Sequence, residues 1–210
     1  MRSMILAVLL VAPVASAQFL QPVAVDNFNK EYKPMLKPPA GAKVAVIVFE
    51  DLGCPSCAAN HATELAAVAQ THVPLVRYDF PFPEHVWTFE GAVCARYIQD
   101  HISPKLAGDF RTDVFAAQRM FASRDDIDRY LKSWLSRHGQ AVPMIIDPGG
   151  KLAAEVGADY QFGVHLNVQY TPTIIVATRN KYQVVFGTKN GPNDATKLVG
   201  VIQAAQKTAK

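Results

Sequence analysis

Residues 44–49 read VAVIVF, six apolar residues in succession, four of them β-branched. Such a run has no polar face to turn to water, so it is expected as a strand buried on both sides, as in a central or parallel position of a sheet. The neighbouring segments narrow the choice. Residues 57–72, CAANHATELAAVAQTH, are strong helix formers, with Ala58, Ala62, Leu65, Ala66 and Ala69 at helical spacing. VPLVRYDFP (73–81) then reads as a second strand. Strand, helix and strand within about forty residues make a βαβ unit. Cys54 and Cys57 fall at its first strand-to-helix junction.

The rest of the chain departs from that alternation. Residues 18–43 are rich in proline and lysine and are expected as an extended lead-in. From Glu84 to about residue 140 three segments, 84–101, 103–120 and 123–140, carry helical periodicity, so a block of three or four short helices is expected. Ser123 and Asp126 resemble a capping box, and Gly139 stands where a C-terminal cap glycine would. Residues 150–168 form a further helix, open to a break at Gly157 or Gly163. TPTIIVATRNKYQVVFG (171–187) reads as a β-hairpin turning at Arg179-Asn180-Lys181. NDATKLVGVIQAAQK (193–207) closes the chain as an amphipathic helix, with Asn193 or Asp194 as its N-cap. The fold class expected is α/β.

The first residues, MRSMILAVLLVAPVASAQFL, bear on the compartment. A basic Arg2, an apolar stretch from Met4 to Val14 and the small-x-small pattern Ala15-Ser16-Ala17 occur in the order of a secretory signal. The apolar stretch is shorter than the roughly 20 residues a spanning helix needs. Cleavage is expected after Ala17, leaving residues 18–210 as one domain, periplasmic or secreted; the competing reading is an uncleaved anchor. Without Arg2 there are 20 basic against 18 acidic side chains, too even a balance to suggest nucleic acid or an anionic membrane as partner.

The compartment makes the cysteine count informative. A small secreted scaffold stapled by disulfides carries more than three, usually an even number; this chain has Cys54, Cys57 and Cys94. Three readings of Cys54-Pro55-Ser56-Cys57 compete. As a metal site, Cys54, Cys57 and His61 supply three ligands, short of the four a structural zinc site takes, and His61 is read instead as a solvent-facing or partly packed helix residue. As an inert staple, a bridge across so short a loop removes little unfolded-chain entropy. As a redox couple, Cys54 at a helix N-terminus meets unpaired N–H groups and the positive end of the dipole, which favour the thiolate. Pro55 sits in the first turn, where no N–H is missed. Cys57, one turn further in, would resolve a mixed disulfide formed by Cys54. Cys94, in register with Trp87, Tyr97 and Ile98, is read as a core residue.

The segments FEDLGCPSC, DFPFPEH and LNVQYTPTIIV together resemble the DsbA-like family of thioredoxin-fold disulfide oxidoreductases, over nearly all of residues 44–205. The resemblance implies a thioredoxin-like fold interrupted by a helical insertion at about 84–140. It implies a cis Thr171–Pro172 bond opposite the cysteine pair, with Thr171 and Pro172 meeting an extended substrate. It implies clients that are unfolded or partly folded exported proteins with cysteines, and a membrane quinone-linked redox partner. No cofactor is expected, and without a dimerisation domain a monomer is expected. Two departures stand out. Val48 occupies the place of the buried acid often found six residues before the first cysteine, which leaves Glu50 or water to take the proton of Cys57. Ser56 replaces the histidine of the strongest oxidants, which implies a milder oxidant. The opposite direction, a reductase or isomerase working with the reduced pair, and a metal carrier using Cys54, Cys57 and His61 are the alternatives.

Overall fold

The computed structural model describes residues 27–187 and 194–209. The signal segment 1–17 and Asn193 lie outside them. Four strands, β1 (Val44–Glu50), β2 (Leu75–Asp79), β3 (Thr173–Thr178) and β4 (Tyr182–Phe186), form one sheet in the order β2-β1-β3-β4. β1 pairs parallel with β2, from Val46–Leu75 to Glu50–Asp79, and antiparallel with β3, from Val44–Thr178 to Phe49–Thr173. β3 and β4 form the expected antiparallel hairpin.

Every residue of β1 is buried, and the pleat shows why residues 44–49 carry no polar side chain. Val44, Val46 and Val48 point to one face, where α1 (Pro55–Thr71) and α6 (Leu198–Thr208) cover them through Ala67, Leu198 and Ile202. Ile47 and Phe49 point to the other, against Phe162 and Leu166 of α5 (Lys151–Leu166). A central strand covered by helices on both sides has no face for water.

Between β2 and α5 lie α2 (Thr88–His101), α3 (Pro104–Ala117) and α4 (Arg124–Arg137). They share a core of Cys94, Ile98, Phe110, Val114, Leu131 and Trp134 that runs on to Leu52 and Cys57 beside the sheet. The helical block is thus packed against the cysteine junction.

Three local expectations need correction. α5 is continuous through Gly157 and Gly163. Gly163 answers a packing need: a Cβ there would lie 2.5 Å from the Phe80 ring. The last helix starts later than its polar lead-in suggests. Asp194 accepts from the Thr196 N–H and caps a 3₁₀ turn over Ala195–Lys197, and α6 begins only at Leu198. At α4 the capping box is wider than expected: Ser123 Oγ accepts from the Asp126 N–H, and the Asp126 carboxylate takes the N–H of Ala122 as well as that of Ser123. Gly139, at φ +65°, does close that helix, and the Gln140 N–H reaches back to Leu135 O.

Candidate active site

Cys54 is the N-cap of α1, in extended conformation, and Pro55 opens the helix. The chain reaches this point through a tight turn in which the Cys54 N–H donates to Asp51 O at 3.0 Å. The Asp51 carboxylate, fully buried, organises that turn. It accepts from the N–H of Gly53 (2.9 Å) and of Phe82 (3.0 Å), and it meets His85 Nδ1 at 2.5 Å. Gly53 cannot be larger, since a Cβ would lie 2.6 Å from Thr88 Cγ2. From the helical block, Gln118 Nε2 donates to the carbonyls of Leu52 (2.6 Å) and Cys54 (3.0 Å). Backbone groups in so crowded a turn need side-chain partners, and Asp51 and Gln118 supply them.

The two thiols, both reduced in this structure, sit in unlike surroundings. The Cys57 thiol and the Thr171 hydroxyl both donate to the Cys54 sulfur, as do the N–H groups of Cys57 and Ser56 in the first turn of α1. The bond from Cys57 is the largest influence, and together these donors outweigh the cost of burial and bring the Cys54 pKa from 9.0 to about 6. When protonated, Cys54 donates instead to Thr171 O at 3.2 Å. Cys57 is 2 % exposed, and burial pushes its thiol well above 9.0; the Cys54 sulfur and the Glu50 charge act in the same direction. Only the Asp51 N–H, 3.5 Å away, opposes them. The Thr171–Pro172 bond is cis, Pro172 is buried, and Pro172 O faces Gly187, whose φ of +97° leaves no space for a Cβ.

Glu50 is buried at the end of β1 and lies in a polar network. Its Oε1 meets Arg111 Nη1 at 3.0 Å and Arg77 Nε at 3.4 Å. Arg111 Nη2 reaches Asp79 at 2.8 Å, and Arg96 joins Asp79 to Asp159. Both guanidinium contacts fall on Oε1, and the Glu50 charge reaches Cys57. Arg111 escaped the sequence reading, as did His85 and Gln118. Only Arg111 left a trace there: it falls among Ala107, Phe110, Val114 and Phe115, inside the apolar stripe of its helix.

His61 is also placed differently from expectation. It is 4 % exposed, packs its ring on Phe115, and bonds Thr112 Oγ1 through Nε2 at 2.9 Å. Helix α3, which lies over that face of α1, is what buries it. Among the described residues its ring nitrogen gathers with Glu50 and Glu64, not with the two cysteines, so the metal-carrier arrangement of Cys54, Cys57 and His61 is not assembled. Cys94 is wholly buried, and burial raises its thiol well above 9.0. Cys94→Ala is therefore expected to keep full thiol-exchange activity at a cost of about 1 kcal/mol in stability. An insulin-reduction assay and a urea melt check both, and a large activity loss in a folded variant would give this thiol a role in turnover.

Beside His85 opens a groove of about 640 Å³ whose lining includes Phe82, Val86, Phe89 and Tyr160. Val86 and Phe89 are exposed.

A family model described as thioredoxin matches residues 39–199. No curated protein matches the chain. Solved structures do. A cysteine-to-alanine double variant of Wolbachia pipientis alpha-DsbA1 superposes with a TM-score of 0.65 at 13 % identity, over 85 % of this chain and 96 % of that one. Oxidised BdbD from Bacillus subtilis gives 0.59 at 16 %, over 87 % and 96 %. The oxidoreductase NmDsbA1 from N. meningitidis gives 0.57 at 20 %, over 81 % and 86 %. At these identities the likeness establishes a shared fold, the thioredoxin-like sheet with its helical insertion. The match over residues 39–199 and this shared architecture, with the cysteine pair at the head of α1, show that the chain belongs to the thioredoxin family.

Proposed function

We propose that the protein is a thiol–disulfide oxidoreductase that exchanges a Cys54–Cys57 disulfide with cysteines of exported proteins, running as an oxidant. The observation that carries this reading is the asymmetry of the pair: one thiol lowered to about 6 at the mouth of a helix, the other raised and buried three residues on. A neighbour titled as a thiol-disulfide exchange protein, alpha-DsbA2 of Wolbachia pipientis, supports the class.

In the oxidising direction a client thiolate attacks Cys54 Sγ. The Cys54–Cys57 bond breaks, Cys57 leaves with the electron pair and takes up a proton, and a mixed disulfide joins Cys54 to the client. A second client thiolate attacks the client sulfur of that bond, and Cys54 leaves as a thiolate. The client has lost two electrons and gained a disulfide; the pair is reduced. A low pKa makes Cys54 a good leaving group and stabilises the reduced form, which favours this direction. The equilibrium constant with glutathione separates it from a reductase or isomerase. Tyr170 and Thr171 lie just ahead of β3, where an extended client could pair with the Thr171 backbone, a mode indifferent to client sequence. The groove beside His85 would receive apolar client side chains.

The pH dependence follows in sign. The folded value of Cys54 lies below the ordinary one, so the stabilisation of the reduced protein is complete above the ordinary thiol range and is lost as pH falls through about 6. Iodoacetamide should label Cys54 first, with a rate midpoint near pH 6. Labelling of Cys57 first, or a midpoint near that of a free thiol, would overturn the assignment.

Export is inferred from residues 1–17, and no helix among the described residues is long and apolar enough to cross a membrane. The exported protein should begin at Gln18 by mass spectrometry; an intact Met1 in that fraction would contradict the cleavage.

A further inference from the structure

Behind the redox pair, three side chains that the exchange chemistry does not need converge in the core. Glu50 from the end of β1 and His61 and Glu64 from α1 each offer one ligand atom, and these atoms lie within 4.8 Å of one another. All three residues are buried, none more than 4 % exposed. His61 and Glu64 are three apart on α1, so both fall on one helix face.

Thr112 Oγ1 lies 2.9 Å from His61 Nε2 and 3.0 Å from Gly108 O. With the hydroxyl donating to Gly108 O, His61 Nε2 carries the hydrogen and Nδ1 presents a lone pair. That Nδ1 is buried and has no hydrogen-bond partner. Glu64 has neither a hydrogen bond nor an ion pair among the described residues, and both guanidinium contacts to Glu50 go to its Oε1. Buried polar atoms are almost always satisfied, so the unmet imidazole nitrogen, beside a carboxyl with no charged partner, calls for an occupant.

The surrounding charges permit a cation. Glu50, Glu64, Asp79 and Asp159 face Arg77, Arg96 and Arg111, and the ion pairs that link them leave out only Glu64. Arg77 is the counterweight. Its Nη2 is unpartnered, and a single water could accept from it while donating to His61 and Glu64. Burial holds a proton on Glu64 up to about pH 8, and a divalent ion would displace that proton and bind the nitrogen lone pair and both carboxylates at once. We propose that Glu50, His61 and Glu64 form a buried site for a divalent cation of the zinc type, whose preference for imidazole nitrogen and carboxylate oxygen fits this donor set. Such an ion would tie the end of β1 to α1 directly beneath the cysteine turn. The site is independent of the thiols and stands or falls apart from the exchange activity.

The test uses the untagged mature chain with Cys54–Cys57 oxidised, so that neither thiol can bind metal. Because the ligands are buried, the protein is unfolded, refolded with zinc and desalted. About one zinc per chain is expected by mass-spectrometric metal analysis, with a higher melting temperature than protein refolded in chelator. Glu64→Gln, isosteric and neutral, should abolish both effects. Cobalt refolded into the wild type should give the absorption of a nitrogen–oxygen site without the thiolate charge-transfer band. Zinc absent from the wild type, or equal in wild type and Glu64→Gln, would overturn the proposal and leave a water as the occupant. Should Glu64→Gln fail to fold, the wild-type stoichiometry and the cobalt spectrum still decide.

Discussion

Cys54→Ser is expected to remove thiol–disulfide exchange altogether, while Cys57→Ser, which cannot form the internal disulfide, loses client oxidation but keeps the capture of a client disulfide by Cys54. Cys54 combines a lowered pKa with the more accessible place at the helix mouth, 9 % exposed against 2 % for Cys57, and the donors that stabilise charge converge on its sulfur. Serine cannot form the mixed disulfide, so client oxidation should fall to the uncatalysed rate. In Cys57→Ser the remaining thiol can still be captured as a mixed disulfide, but no buried sulfur is present to release it. A client bearing a single activated disulfide should accumulate as a covalent adduct, visible on a non-reducing gel. In Cys57→Ala, which leaves no donor there, the Cys54 midpoint should rise, because the Cys57 thiol is the first of its stabilising partners. Adduct formation by Cys54→Ser, with Cys57 as the attached residue, would reverse the two roles.

The second large effect is on stability. Arg111 is enclosed in the core and holds two buried carboxylates, Glu50 at 3.0 Å and Asp79 at 2.8 Å. Arg111→Met fills much of the same volume but leaves Glu50 with Arg77 alone and Asp79 with Arg96 alone. Removing one partner of a buried ion pair costs about 3–5 kcal/mol, because the stranded charge keeps its desolvation penalty. An exposed pair such as Lys132–Asp128 contributes no more than about 0.5 kcal/mol. Urea melts of Arg111→Met and Lys132→Met should therefore differ by several kcal/mol. Adding Glu50→Gln to Arg111→Met should recover part of the loss, since it removes one of the stranded charges. A loss below about 1 kcal/mol in the single variant would mean that the network is not closed to water.

How much of this was legible in the sequence depends on the range over which each feature is determined. β1, α1 and β2 are written in the periodicity of residues 44–81, because burial on two faces, on a stripe or at a helix mouth each imposes its own local spacing. For the same reason Cys54 and Cys57 fall at the strand-to-helix junction, and the hairpin of β3 and β4 is readable from two β-branched runs around a polar turn. The helical block was legible as helices but not as a partner of the site. Gln118 reaches Leu52 and Cys54 across more than sixty positions, and Arg111 reaches Glu50 across sixty-one. No local pattern encodes those contacts, because they depend on how α3 lies over α1. His61 shows the cost of reading one helix alone. In an alanine-rich segment a histidine looks like a surface residue, and only α3, laid over that face, encloses it and brings it together with Glu50 and Glu64. The continuity of α5 is a similar case, since Gly163 is a helix breaker by propensity and a packing necessity against Phe80. By itself the sequence determined which segments are strand or helix and which sulfur stands at a helix mouth. The tertiary structure decided which charges are buried together, and so how far apart the two thiols are held in acidity. Secondary structure answers to neighbours a few residues away, whereas burial and ion pairing answer to whatever the folded chain brings alongside.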